Sequence, residues 1–455
     1  MSARGLAKLG LAVTSLGVSG CTLNRPEDPV VLTGAQVASL ADVSAGDVVA
    51  FRWVNGWDQV PVQVDERKTV DFGTVYNSTA MGFVTTVYAD PGTFTGADGN
   101  ADVDANDEVA FMAKDVGPEA PVDAAEPAGV VAGSGVKVKV RSTLGSTTRD
   151  AWVYLFERSG GLSPGAGESY VNYDFRLLSG AYKTTYKLQD GPNPENTTVT
   201  TPFYVDHFSD RWLNDQLKVK AGNASEVDII DRHKSLLGPG NCGRSEDTFD
   251  DAEGAFIANR AGPVRAIRSY IGANSGPLTQ REHIFYEQRQ EIRTFLRVHG
   301  GIPGPIDFFD YSPAAVGMTY RNSVNSGGVR IDGTPDTVAA GQLGWESVDG
   351  PQGGLSIAHA VSTDIADLVF SSFYFDDSTP GGGAETQCTG DTQAIGQSGP
   401  WVRASSLPNT DPRTAGFKSL TSIRTIYFEE PGKANGAARA AQAASGFQLN
   451  VSALP

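Results

Sequence analysis

Cysteine, methionine and histidine are scarce: 455 residues hold three, four and five of them. No two His or Cys residues have the local spacing of a zinc motif, so HExxH and paired CxxC chemistry is excluded. A Gly-rich phosphate loop ending in Lys-Ser/Thr is missing, as is GxSxG, which removes the P-loop and nucleophile-elbow readings. Ser275 in Asn274-Ser275-Gly276 sits in a turn between strands and lacks the strand-to-helix geometry of a nucleophile elbow. Positive charge is also short, with 36 Lys and Arg against 53 Asp and Glu. The resulting net charge of -17 excludes nucleic acid as a general partner, because phosphate binding needs a basic surface. No apolar run is long enough to span a bilayer as a helix, and no fixed-period repeat points to a propeller or solenoid.

What is abundant is glycine (53) and proline (25), the composition of many strands joined by tight turns. An all-β protein is expected, built as a small N-terminal β-sandwich (29–135) and a larger β-sandwich domain (136–455). The Pro/Ala/Gly-rich stretch 117–135 reads as the linker or long loop between them. Asp47 to Val54 and Gln59 to Asp65 flank an Asn55-Gly56 hairpin turn, with Pro61 demoting the second strand towards an edge. Val264 to Ile271, Arg281 to Glu287 and Ile292 to His299 read as an antiparallel meander. Ser209 is placed to cap a short helix through Leu217, and an Ala-rich helix is expected over Asn435 to Ala444. The strand density also fits the elongated sandwich of galactose-mutarotase-like sugar enzymes, an analogy of fold class.

At the N-terminus, Arg4 and Lys8 precede a short apolar core, Leu9 to Val18, and then Val18-Ser19-Gly20-Cys21. This resembles the lipobox of bacterial lipoproteins. The resemblance implies that 1–20 is a signal peptide, that Cys21 carries the lipid, and that the protein is anchored to the extracytoplasmic side of the cell envelope. Residues 21–28 would be a polar tether. In that oxidising compartment the remaining pair, Cys242 and Cys388, is expected to form a disulfide.

An acidic stretch, Asp98-Gly99-Asn100-Ala101-Asp102-Val103-Asp104-Ala105-Asn106-Asp107-Glu108, places oxygen ligands at alternate positions. Bent into a loop, Asp98, Asn100, Asp102, Asp104 and Asp107 suit a hard cation, so a structural calcium is expected. The opening resembles the first half of an EF-hand. It departs from that motif at Val103, where glycine is required, and at Val109, where the closing Glu is missing.

Chemistry concentrates between Asp206 and Ser312, which holds His207, His233, His283 and His299; the fifth histidine is His359. Alternation along Ile292 to His299 puts Ile292, Thr294, Leu296 and Val298 on a packing face and Arg293, Phe295, Arg297 and His299 on a cationic one. His299, Arg297, His283, Tyr311 and Asp310 are the candidate catalytic residues, in an acid/base reaction of the hydrolase or lyase kind on a polysaccharide. Asp206, Asp210, Asp231, Glu246, Asp247, Glu282 and Asp307 are further carboxylates in the stretch, where Asp231 to Lys234 and Arg244 to Asp247 read as loops. Tyr286 and Arg265 complete the set of possible bases and cations. The expected function is to bind or cleave an extracellular polysaccharide; the alternative is a non-catalytic surface lipoprotein whose polar residues pair with one another.

Overall fold

The computed structural model describes residues 23–72, 84–179, 194–238, 240, 254–272, 279–298, 304–379, 393–404 and 418–454. The protein is all-β, and its strands form two sandwiches that share a buried junction.

In the first sandwich a five-stranded antiparallel sheet runs in the order Phe447–Ala453, Val136–Leu144, Thr147–Glu157, Val48–Trp53, Trp57–Val60. It packs on a three-stranded sheet of Pro29–Thr33, Glu108–Met112 and Gln63–Asp65. Val136–Leu144 shows why. Its valines at 136, 138 and 140 are fully buried while Lys137, Lys139 and Arg141 alternate outward; each buried valine stabilises by about 1.5–3 kcal/mol. The Asn55-Gly56 hairpin forms, with Trp53 opposite Trp57 and Asn55 in the left-handed region at φ 58°. Trp57–Val60 is an edge strand, and Pro61 marks where the chain crosses from one sheet to the other. A boundary at residue 135 does not match this topology: two strands beyond it, and the last strand of the chain, complete the first sandwich. Stretch 117–135 is not a linker either. Gly117 pairs with Trp152, Val130 pairs with Arg158, and Trp57 Nε1 donates to Ala125 O at 2.6 Å, folding the stretch over the outside of the sheet.

The larger sandwich is built on a nine-stranded antiparallel sheet. Its order is Ala255–Ala261, Ala266–Ile271, Thr279–Phe285, Arg289–Val298, Lys418–Glu429, Gly353–Thr363, Trp345–Gly350, Thr319–Asn322, Val329–Arg330. The second, third and fourth are the expected meander, and Ala255–Ala261 adds an unexpected strand at its edge. Two four-stranded sheets share its main core: one of Asn172–Asp174, Thr197–Thr200, Tyr204–Phe208 and Asn214–Val219, the other of Ile230–Leu236, Ile306–Tyr311, Ala394–Arg403 and Val369–Asp377. Two local expectations fail here. No helix follows Ser209, because Asn214–Val219 pairs with Tyr204–Phe208 instead; and Asp231 to Lys234, expected in a loop, lie within a strand. The Ala-rich helix is present as Gly436–Ser445, with the Asn435 side chain accepting from Ala438 N at 3.1 Å as its N-cap.

At the junction, Ala110 and Met112 of the first sandwich, with Val70 and Val87 of a separate two-stranded sheet (Arg67–Asp71 with Val84–Tyr88), pack on Ile257, Ile267 and Ile284 of the second. Thr279–Phe285 is therefore covered on both faces, and all seven of its residues are buried. Residues 23–28 belong to this packed body and do not form a free tether. Leu23, Arg25 and Asp28 are buried, and Asp28 accepts from Arg25, Arg289, Tyr427 and Gln442.

Candidate functional site

The best-formed polar cluster lies where the Ile230–Leu236 sheet faces the nine-stranded sheet. Ser235 sits directly opposite Asp307 in the first, and Arg281, Thr294 and Ser422 form a cross-strand row in the second. These five line a pocket whose walls include Trp212, Leu296, Phe370 and Val402. Gly399 brings the strands close enough, since a Cβ there would lie 2.2 Å from Asp307 O. The pocket volume is about 60 Å³, room for a few waters and well below the ~300 Å³ at which whole ligands are usually enclosed.

Asp307 organises the cluster. Its Oδ1 accepts from Ser235 Oγ at 2.7 Å, from His233 Nε2 at 2.7 Å and from Arg281 Nη2 at 3.1 Å. Arg281 also donates to Ser235 Oγ at 3.1 Å and Thr294 Oγ1 at 3.1 Å, and its guanidinium lies 4.9 Å over the Trp212 ring. Behind them Arg424 donates to Asp307 O at 2.7 Å and places Nη1 3.2 Å from His233 Nε2. An arginine only donates, so the His233 Nε2 proton belongs to the hydrogen bond with Asp307. Burial, aided by Arg281 and Arg424 and opposed by Asp307, depresses the His233 pKa to about 4. For Asp307 burial pushes upward, but Arg281, His233 and Arg424 outweigh it and hold the carboxyl well below its ordinary range. At neutral pH two guanidiniums, one carboxylate and a neutral imidazole leave one net positive charge. The Asp307 side chain is 23% exposed and Arg281 4%, whereas His233 is 2% exposed and stands behind them. The cluster therefore presents donors and one acceptor to the pocket, while its imidazole is screened from anything bound there.

The sequence candidates are scattered around this cluster. Arg297 lies on the Arg293 side of its strand, opposite the face from which Thr294 and Leu296 reach the pocket; burial lowers its pKa to about 10. His299 lies outside the described residues. His283 is a core residue: its Nε2 is 3.0 Å from Tyr270 OH, its Nδ1 is 3.2 Å from Gln290 Nε2, and the ring stacks on Tyr270 and Phe285. Asp310 points away from Asp307 and accepts from buried Lys234 at 2.7 Å and from Gln397 at 2.8 Å. Tyr311 is part of the main core. His283, Asp310 and Tyr311 therefore stand outside the Asp307 cluster. His207 pairs with Asp215 and Asn196, His359 with Glu346, and Arg265 with Asp65 and Glu108. Cys21, Cys242 and Cys388 lie outside the described residues.

Ser235, Arg281, Arg424 and Trp212 were not singled out from sequence. Reading 231–234 as a loop hid the alternation that puts His233 and Ser235 on one face. Nothing local links Arg424 to residue 307.

In the acidic loop, the oxygens of Asp98, Asn100, Asp104 and Asp107 accept backbone N–H groups from Gly99, Asp102, Asn106 and Asp104, and Asp107 also accepts from Arg67 N. In this conformation they act as turn acceptors. No group of three or more His, Cys, Asp or Glu among the described residues converges on a cation position.

No protein-family model matches the chain, and no curated protein matches it. Among solved structures it is similar to a protein from Escherichia coli K12 provisionally assigned as an aldose 1-epimerase, with 10% identity and a TM-score of 0.30 over 57% of this chain and 100% of that one. It is also similar to an alpha-mannosidase from Enterococcus faecalis V583, with 8% identity and a TM-score of 0.36 over 91% of this chain and 47% of that one. A likeness this slight assigns neither activity to this chain.

Proposed function

We propose that the protein binds an acidic extracellular polysaccharide by admitting a sugar carboxylate, or the edge of a sugar ring, to the Asp307 pocket. The observation that carries this reading is the net positive cluster of Arg281, Arg424, Asp307 and His233 beneath apolar and aromatic walls. Arginine forks suit carboxylates, the Asp307 carboxylate and the Ser235 and Thr294 hydroxyls suit sugar hydroxyls, and Trp212 contributes apolar area. Binding fits better than cleavage, because among the described residues the cluster's one histidine, His233, is screened by Asp307 and does not reach a bound sugar. The mutual pairing of Arg281, Ser235 and Asp307 favours one alternative, a purely structural cluster in a surface lipoprotein.

The two readings separate on a glycan array carrying neutral and uronic-acid oligosaccharides. Retention of uronic-acid glycans by the wild type, weakened at least tenfold in Arg281→Ala with unchanged melting, supports binding. No retention of any glycan supports the structural alternative, and release of reducing ends or of products absorbing at 235 nm would show cleavage.

Anchoring through Cys21, a Cys242–Cys388 disulfide and calcium at the acidic loop belong to the same proposal of an extracytoplasmic lipoprotein. Labelled fatty acid is expected to enter the wild type and not Cys21→Ser. Mass spectrometry of unreduced peptides is expected to recover 242 linked to 388. Calcium would share or replace the backbone donors now held by Asp98, Asn100, Asp104 and Asp107. A melting temperature unmoved by EGTA would reject it.

A further inference from the structure

We propose that the first sandwich carries a second ligand site, an aromatic-walled pocket on its outer face that takes one pyranose ring of a glycan chain. It lies far from Asp307 in the fold and does not depend on the reading of that pocket. The site forms because stretch 117–135 folds back over the five-stranded sheet and leaves a pocket of about 300 Å³ between the two, at the lower end of the range for small-molecule sites. Trp57 and Tyr154 make one wall, Ala120 and Leu454 belong to the rest of the lining, and Glu126 and Lys137 supply its charge.

Three features match a sugar ring better than a purely apolar ligand. The first is a rigid aromatic wall. Trp57 meets Trp53, Tyr154, Phe156 and Phe51 edge-to-face at 5.2, 4.9, 6.0 and 6.4 Å, and its Nε1 is tied to Ala125 O at 2.6 Å. A ring held this way loses little freedom when a ligand packs on it. The second is a polar complement for hydroxyls. Glu126 accepts from a single backbone donor, Gly133 N, at 3.1 and 3.3 Å, so its carboxylate keeps lone pairs for further bonds. Lys137 pairs with Glu119, and an ammonium with three donors has more to give. The third is continuity with open surface: Val122, in the same lining, is 91% exposed, so a chain can enter and leave. Apolar C–H faces against Trp57 and Tyr154, with hydroxyls towards Glu126 and Lys137, is the arrangement these residues accommodate.

The test is electrophoresis of the full chain through gels containing a neutral polysaccharide: barley β-glucan, arabinoxylan or galactomannan. Migration is expected to be retarded by at least one of them. The apparent affinity should fall at least tenfold in Trp57→Ala and in Ala124→Phe. Trp57 is packed among core aromatics, so its removal is able to disturb folding. Ala124→Phe instead fills the pocket from the loop, and decides the matter if Trp57→Ala melts early. The proposal is overturned if no polysaccharide retards the wild type. It is equally overturned if Ala124→Phe, folded and with wild-type melting, is retarded as strongly as the parent. Loss of retardation in Arg281→Ala alone would assign the binding to the Asp307 pocket and reject this one.

Discussion

Replacing Arg265 with alanine is expected to lower the unfolding free energy by about 3–5 kcal/mol, seen as a drop in the urea midpoint. Arg265 is fully buried at the junction of the two sandwiches. Its Nε donates to Asp65 at 2.8 Å, Nη2 to Glu108 at 2.7 Å and Nη1 to Tyr286 OH at 3.2 Å, while Gln63 Oε1 accepts its backbone N–H at 3.0 Å. Removing the guanidinium leaves the Asp65 and Glu108 carboxylates with reduced compensation in a dry interface. That residual charge makes breaking such a set far costlier than the net worth of the pair. Arg265→Lys keeps the charge but loses the fork, so it should fall between wild type and alanine. A loss below about 1 kcal/mol for Arg265→Ala, the range of surface pairs, would mean that the junction does not hold the two sandwiches together.

The second large effect is a pH dependence hidden by cancellation. His233, with its pKa depressed to about 4 from 6.5, is neutral in the folded protein and protonates more readily when unfolded. Its contribution is present above pH 6.5 and is lost as the pH falls through 4, by about 3 kcal/mol in all at ~1.4 kcal/mol per pKa unit. Asp206 has the opposite sign. Burial raises it to about 7, with the amides of Asn214 and Gln290 opposing only in part. The folded state therefore holds a proton that the unfolded state releases near pH 4. That stabilisation, about 4 kcal/mol, is complete below pH 4 and is lost as the pH rises through 7. Over pH 4–7 these two contributions nearly offset each other in the wild type. Asp206→Asn removes one side of the balance. Relative to wild type it should lose about 4 kcal/mol of stability between pH 8 and pH 4. Urea titrations at both pH values measure this, and parallel profiles for variant and wild type would contradict it.

How much of this was legible depends on the range of the interaction. Local patterns carried well: the Val136–Leu144 alternation, the Asn55-Gly56 hairpin, the meander around Ile267, Ile284 and Ile292, and the helix capped by Asn435. Closure of the first sandwich was not legible, because it requires Phe447–Ala453 to return across the whole chain and pair with Val136–Leu144. Burial of the polar residues of Thr279–Phe285 was not legible, because nothing local shows that a second sandwich covers them. The candidate site failed for a related reason. Asp307, His233 and Arg281 come from three strands of two sheets, and the favoured Arg297 sits one residue out of phase with the face that lines the pocket. A period of two makes a one-residue offset a change of face.

Calorimetric titration of the full chain with an unbranched oligogalacturonate tests the central claim most directly, run beside Arg281→Ala and Ala124→Phe. Saturable binding by the wild type and by Ala124→Phe, weakened at least tenfold in Arg281→Ala with unchanged melting, is the predicted result. Equal affinity in Arg281→Ala, or no heat of binding with this and every other uronic-acid oligosaccharide of the array, would contradict it.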